Sequence, residues 1–310
     1  MDNYEFIDAF ALFDKLWPEI RQLPFEMQAE TWVDHFTVRY PALARMYIEA
    51  HAEDGEDWCT VLRERFLARA HELLTAMRRA AALLPNITRE VADKARQMDL
   101  IDFPVVFMML GPAGYAGWGT RHEGRRACLF GLDAIADLGW QDARTLEGLT
   151  AHELGHVIHA EWRERDGIPD GKGPFWQLYR EGFAQNVEHT IAGENSWHME
   201  ATTAGWAAWC ADHVSYLANE FLKTARHGQP VHRFFGSLPH LNICGYRQTG
   251  YFLGSEAVRR TQNRMGIKAA SLLDRSKVDD GVVRALEELA EGQPVVLPDL
   301  GLAGDTSQTS

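Results

Sequence analysis

Apolar residues change their spacing near position 100, and that change divides the chain. Before it they recur at intervals of three and four, the period of one face of a helix. Phe6, Phe10, Phe13 and Leu16-Trp17 form one such stripe, interrupted at Pro18. Val61-Leu62, Phe66, Ala70 and Leu73-Leu74 form a second, with arginines and glutamates between them. The second stripe predicts a helix that ends at Leu84, because Pro85 has no N–H and crowds the turn before it. A short helix is predicted from Ile87, with Thr88 as its N-cap. Residues 103–110 are instead a continuous apolar run closed by Gly111-Pro112, the pattern of a buried strand, and 126–132 read as another strand. Between them Gly111, Gly114, Gly117 and Gly119 are interleaved with Tyr115 and Trp118. They form neither a G-x-G-x-x-G nor a G-K-[ST] phosphate loop, so glycine-rich turns are expected.

Helical spacing then returns. A helix capped by Asp142 or Thr145 runs to about 164, and 166–174 has the Gly, Pro and Asp content of a loop. Further helices are predicted over 175–189, over 200–226 as one long helix, over 251–265 and over 279–289. The expected fold is α+β: mostly helical, with a small sheet beside the helix that starts near 142. The expected organisation is an N-terminal helical region (1–100), a region carrying the chemistry and a C-terminal helical part (101–293), and a flexible tail (294–310).

The chain has 310 residues and a formal charge of −13, with no basic block or stripe. Nucleic acid and anionic membrane are therefore not expected partners. No basic segment followed by an apolar run opens the sequence, and no apolar segment is long enough to span a bilayer. Cys59, Cys128, Cys210 and Cys244 lie far apart and form no C-x-x-C pair, which predicts free thiols and a cytoplasmic setting.

The candidate chemistry lies on the helix that begins near 142. His152 and His156 stand four apart, on one helical face, with Glu153 directly after the first. This is the H-E-x-x-H arrangement, in which two imidazoles bind zinc and the glutamate is the general base. A catalytic zinc takes a third protein ligand and leaves one position for water. His159 would overshoot the ion, lying one turn (~5 Å) beyond His156 on a straight helix. Glu181, on the next predicted helix among Trp176, Leu178, Phe183 and Ala184, is the favoured third ligand. Glu161, Glu164, His189 and Asp170 are the alternatives.

His152-Glu153-Leu154-Gly155-His156 followed by Glu181-Gly182-Phe183-Ala184 resembles the gluzincins, and more narrowly the YjaZ-like predicted bacterial zinc-dependent proteases. The likeness covers roughly residues 100–265. It implies a zincin-like fold, a Zn2+ cofactor, a peptide or protein substrate, and cleavage of amide bonds through a metal-bound water with Glu153 as base. Gly245-Tyr246 through Gly250-Tyr251-Phe252-Leu253-Gly254 is similar to a gluzincin segment whose tyrosine donates to the oxyanion. Tyr251 matches that residue, and Tyr246 is the other candidate. In two respects the chain departs from the family. Many gluzincins have an aspartate four residues after the glutamate ligand, where this chain has Gln185. The G-x-M-E-N segment of aminopeptidase-N-like enzymes is missing. A non-catalytic metal-binding regulatory protein and a zinc hydrolase of a non-peptide amide or ester are the competing readings, and oligomeric state has no signature in the sequence.

Overall fold

The computed structural model describes residues 4–53 and 55–292. The expected tail at 294–310 lies outside these residues. The protein is mostly helical, with one small mixed sheet. The strands are β1 (Tyr4–Asp8), β2 (Val105–Leu110), β3 (Gly117–His122) and β4 (Arg125–Gly131), in the order β1-β2-β4-β3. β2 runs parallel to both β1 and β4, and β3 returns antiparallel to β4 to form one edge. Every residue of β2 is buried, which accounts for its unbroken apolar run.

Helices α1 (Phe10–Ile20), α2 (Phe25–Arg39), α3 (Pro41–Glu53), α4 (Trp58–Val61) and α5 (Ala70–Gln97) precede β2. After β4 come α6 (Leu132–Asp137), α7 (Ala143–Arg165), α8 (Pro174–Ala192), α9 (Trp206–Asp212) and α10 (Val214–Arg226). The last are α11 (Thr249–Met265), α12 (Ile267–Ser271) and α13 (Arg275–Ala290). Among the described residues no helix is long and apolar enough to cross a membrane.

Five local expectations are corrected. Residues 4–8 form β1, not a helix, because five residues with mixed spacing suit either period and pairing of Tyr4 with Val105 and Phe6 with Phe107 decides. Helix α5 does not stop before Pro85. Leu73, Met77, Ala80, Leu84, Ile87 and Val91 are buried along it on both sides of the proline. Burial of each large apolar side chain contributes about 1.5–3 kcal/mol, so the stripe outweighs the ~3 kcal/mol proline cost. Thr88 is accordingly no N-cap: its hydroxyl donates back to the Leu84 carbonyl at 2.8 Å. The single helix expected over 200–226 is two: Gly205, at φ +77°, precedes α9, and His213 interrupts the axis before α10. α13 starts at Arg275 rather than 279, because Asp274 accepts from the Lys277 N–H at 3.0 Å. At α7 the expected cap holds, with Asp142 accepting from the Thr145 N–H.

α7 lies between the sheet and α8, and α8 packs on α11. Glycines bring these axes together. A Cβ at Gly155 would lie 2.8 Å from Ala184 Cα, and one at Gly182 would lie 2.1 Å from the Gly254 carbonyl oxygen. Arg163 secures the far end of α7. Its buried guanidinium donates to the carbonyls of Ser271 (2.7 Å), Leu273 (2.8 Å) and Pro169 (2.7 Å) and lies over the Trp176 ring. It thereby joins the 166–173 loop and the end of α12 to α7. Replacing Arg163 by alanine strands the buried Ser271 carbonyl and leaves the part-buried carbonyls of Leu273 and Pro169 to water. Since an unpaired buried acceptor costs roughly 1–3 kcal/mol, the variant should lose about 2–4 kcal/mol in a urea unfolding titration.

Candidate metal centre

α7 is buried on nearly all sides through its middle turns, which is why its apolar and polar residues do not separate onto two faces. His152 and His156 project from one face toward α8, with ring centroids 4.9 Å apart. Glu181 projects from α8 to meet them. Its Oε2 lies 3.4 Å from His152 Nε2 and 3.1 Å from His156 Nε2. These three residues form a group that could hold a metal ion. Bonds of ~2.0–2.2 Å in a tetrahedral arrangement place ligand atoms a little over 3 Å apart, so the donor set fits a divalent ion of that kind.

The ionisation states agree with that fit. Burial lowers the pKa of His152, favouring the neutral, ligating imidazole. Burial tends to raise the Glu181 carboxyl, but the His156 charge and hydrogen bonds from both histidines outweigh it and hold the group well below the usual range. Glu181 is thus an anion at neutral pH. Glu153 behaves oppositely: burial prevails over the nearby His156 and Arg180 charges and pushes its carboxyl up to about 7.

All four side chains border a cavity of about 240 Å3, with Tyr251 and Arg180 also on its wall. β3 forms another wall, and here the expected glycine turns are a strand. A Cβ at Gly117 would fall 2.3 Å from Glu153 Oε1, and one at Gly119 would fall 2.8 Å from His156 Cβ. The two alternate positions face α7, so both must lack a side chain. Trp118, between them, faces the other way and packs edge-on against Tyr47 of α3.

One turn after position 185 a carboxylate does lie beside His152, though outside hydrogen-bond distance of its Nδ1. Glu188 is fully buried, and its Oε2 lies 2.7 Å from His198 Nδ1 and 3.7 Å from His152 Nδ1. Its Oε1 accepts from the Ser196 hydroxyl (2.8 Å) and the His198 N–H (3.1 Å). Burial tends to raise Glu188, but His198 and its hydrogen bond prevail and hold it below the ordinary value. Gln185 instead bonds His189 and the Ser196 carbonyl, both at 3.1 Å. Residues 181, 185 and 188 share a helical face, so periodicity alone made Glu188 findable. Nothing in the sequence signals His198, which reaches the site through the turn after α8.

The remaining candidates have other settings. Tyr251, in the first turn of α11, has its ring 5.4 Å from that of His152 and lines the cavity. Tyr246 lies flat on Trp209, with centroids 4.0 Å apart. His159 is enclosed by Trp176, Tyr179 and Phe183, and burial drives its pKa well below the ordinary value. Glu161 pairs with Arg126 and Arg165, and Glu164 with Arg121 and Arg126. His189 packs against Trp197, and Asp170 sits on the cavity rim, 3.7 Å from Arg163.

Comparison with protein-family models, with curated proteins and with solved structures returns no match.

Two substitutions separate the supporting layers. Glu188→Ala removes the anion 3.7 Å from His152 Nδ1 and should weaken metal affinity by up to about 10-fold in a chelator competition, the low end for loss of a supporting partner, since no direct hydrogen bond is lost. Gly117→Ala forces the Glu153 carboxylate aside without touching a ligand. It should leave metal affinity unchanged while lowering stability by about 1–3 kcal/mol, the usual cost of overpacking.

Proposed function

We propose that this protein is a zinc-dependent hydrolase of peptide (amide) bonds, built on a zincin-like fold with a gluzincin-type site. The observation that carries this reading is the convergence of His152 Nε2, His156 Nε2 and Glu181 Oε2 beside a buried Glu153. Two nitrogens and one carboxylate oxygen form a zinc donor set with room for a fourth ligand. A non-catalytic metal protein would gain nothing from Glu153, a carboxylate that burial disfavours and that has no ion-pair partner among the described residues.

Zinc held by His152, His156 and Glu181 would supply Lewis acidity, making water more acidic and a scissile carbonyl more electrophilic. Glu153 takes the proton of the attacking water and delivers it to the leaving amine. Its raised pKa suits a group that must both accept and return a proton near neutrality. The Tyr251 hydroxyl donates to the oxyanion of the tetrahedral intermediate. Burial pushes its pKa well above the ordinary value, so it keeps the proton it needs as a donor. Glu188 and His198 steady the His152 ring. The outer edge of β3 has no strand partner among the described residues, and such an edge can pair with the backbone of an extended peptide. Four unpaired cysteines favour a reducing, cytoplasmic setting.

Metal analysis combined with cleavage of a peptide library tests this reading. The purified protein should carry about one zinc per chain and cut peptides, as one three-ligand catalytic site requires. Glu153→Gln should retain the metal and lose at least about 100-fold in turnover, the low end for loss of a general base. Glu181→Ala should lose the metal; a full complement of zinc in that variant would refute the ligand set. Tyr251→Phe should keep zinc and lower kcat by about 100-fold, as removal of one oxyanion donor does. Zinc-loaded protein that cuts no peptide would refute the hydrolase reading.

A further inference from the structure

A second cavity, of about 440 Å3, lies next to the first and shares one residue with it, Arg180. Its wall carries Lys172, Arg180 and His232, with Gln177 and Gln229, and not one acidic side chain. That is unusual for this chain, which has 44 acidic residues against 31 basic ones. Arg180 stands where the two cavities join. Its side chain is 51% exposed, and among the described residues its one hydrogen-bond partner is Glu181 Oε1, at 3.1 Å. The other oxygen of that carboxylate faces the two histidines. A guanidinium has five N–H donors in a planar fork, so one bond leaves most of the fork to meet a ligand. Because Arg180 contacts the oxygen of Glu181 opposite the one facing the histidines, it lies within about one residue's reach of the metal position, at ~3.3–3.6 Å per extended residue.

Resting on the reading of the first cavity as a hydrolytic site, we propose that the second is an anionic-substrate subsite, in which Arg180, supported by Lys172, binds a substrate carboxylate about one residue from the scissile bond. That carboxylate is either an acidic side chain or the free C-terminus of the peptide. A bidentate arginine–carboxylate pair fixes direction as well as register, so Arg180 determines which bond is presented to Glu153. A net negative protein repels acidic peptides at long range, and the local cations reverse that repulsion only at the site.

The test uses the zinc-loaded full chain and matched peptides: glutamate against glutamine at each position flanking the cleaved bond, and free-acid against amidated C-termini. One arm measures kcat/KM; the other measures binding to zinc-loaded Glu153→Gln, which needs no turnover. The acidic member of one pair should be favoured by about tenfold or more, the size expected of a close charge pair at a half-exposed guanidinium. The pair that shows the preference identifies the source: side chain or C-terminus. Arg180→Gln, at unchanged zinc content, should reduce the preference to about twofold or less, and Lys172→Gln, remote from the ligands, should reduce it by about threefold. Cleavage of neutral and acidic peptides with equal efficiency, or a preference that survives both substitutions, would overturn the subsite and leave the hydrolase standing. Zinc-loaded Glu153→Gln that binds no peptide would overturn both.

Discussion

The site depends on how closely three helices approach. His152 and His156 belong to α7, Glu181 to α8 and Tyr251 to α11, so no local rule relates them. What relates them is the absence of side chains at Gly155, Gly182 and Gly254. There backbone meets backbone, and a single added Cβ would stand 2.1–2.8 Å from its neighbour. Such contact allows no sliding, because packed interiors have little free volume to absorb a shift. Each of these glycines is close in sequence to a functional residue: Gly155 precedes His156, Gly182 follows Glu181 and Gly254 lies one turn after Tyr251. The packing and the chemistry are therefore set by the same short segments.

The same closeness creates an electrostatic problem. His152, Glu153, Glu181 and Glu188 are all buried, and burial disfavours each charged form. Glu181 and Glu188 resolve it by facing histidines, so they stay ionised. Glu153 faces the glycines of β3 and keeps an elevated pKa. Three carboxylates on two adjoining helices thus have different proton affinities because of what each one faces, not because of their chemical type. The convergence of His152, His156 and Glu181 is where a cation could offset the remaining negative charge.

A zinc-dependent peptide hydrolase follows from this arrangement as a proposal, and Arg180 extends it outward. His152, Glu153, His156, Glu181 and Tyr251 line a cavity bounded by β3 on one side and α8 on the other. Beyond Arg180 the wall changes from mixed charge to cationic, in a chain that is acidic as a whole. A substrate crossing that boundary would meet the metal position and the arginine together, which couples recognition to the placement of the scissile bond.

The sequence by itself determined what local periodicity and residue chemistry carry: β2 as a buried strand, α7 with its Asp142 cap, the one-face placement of His152 and His156, and Glu181 as a carboxylate on a buried helix. It did not determine β1, since Tyr4–Asp8 becomes a strand only by pairing with β2, about a hundred residues away. Nor did it show that α5 continues through Pro85, where an apolar stripe packed on the rest of the core outweighs a local penalty. Gly117 and Gly119 looked like turn glycines because their reason, the pressure of Glu153 and His156 against β3, is invisible without the tertiary contact. Glu188 is in phase with Glu181, but the family pattern places the supporting carboxylate at position 185, where this chain has a glutamine. His198 and Arg180 acquire their roles only where separate segments meet. Periodicity records which face of an element is buried; tertiary structure decides what that face meets, and at this site the partners set both the charge states and the distances.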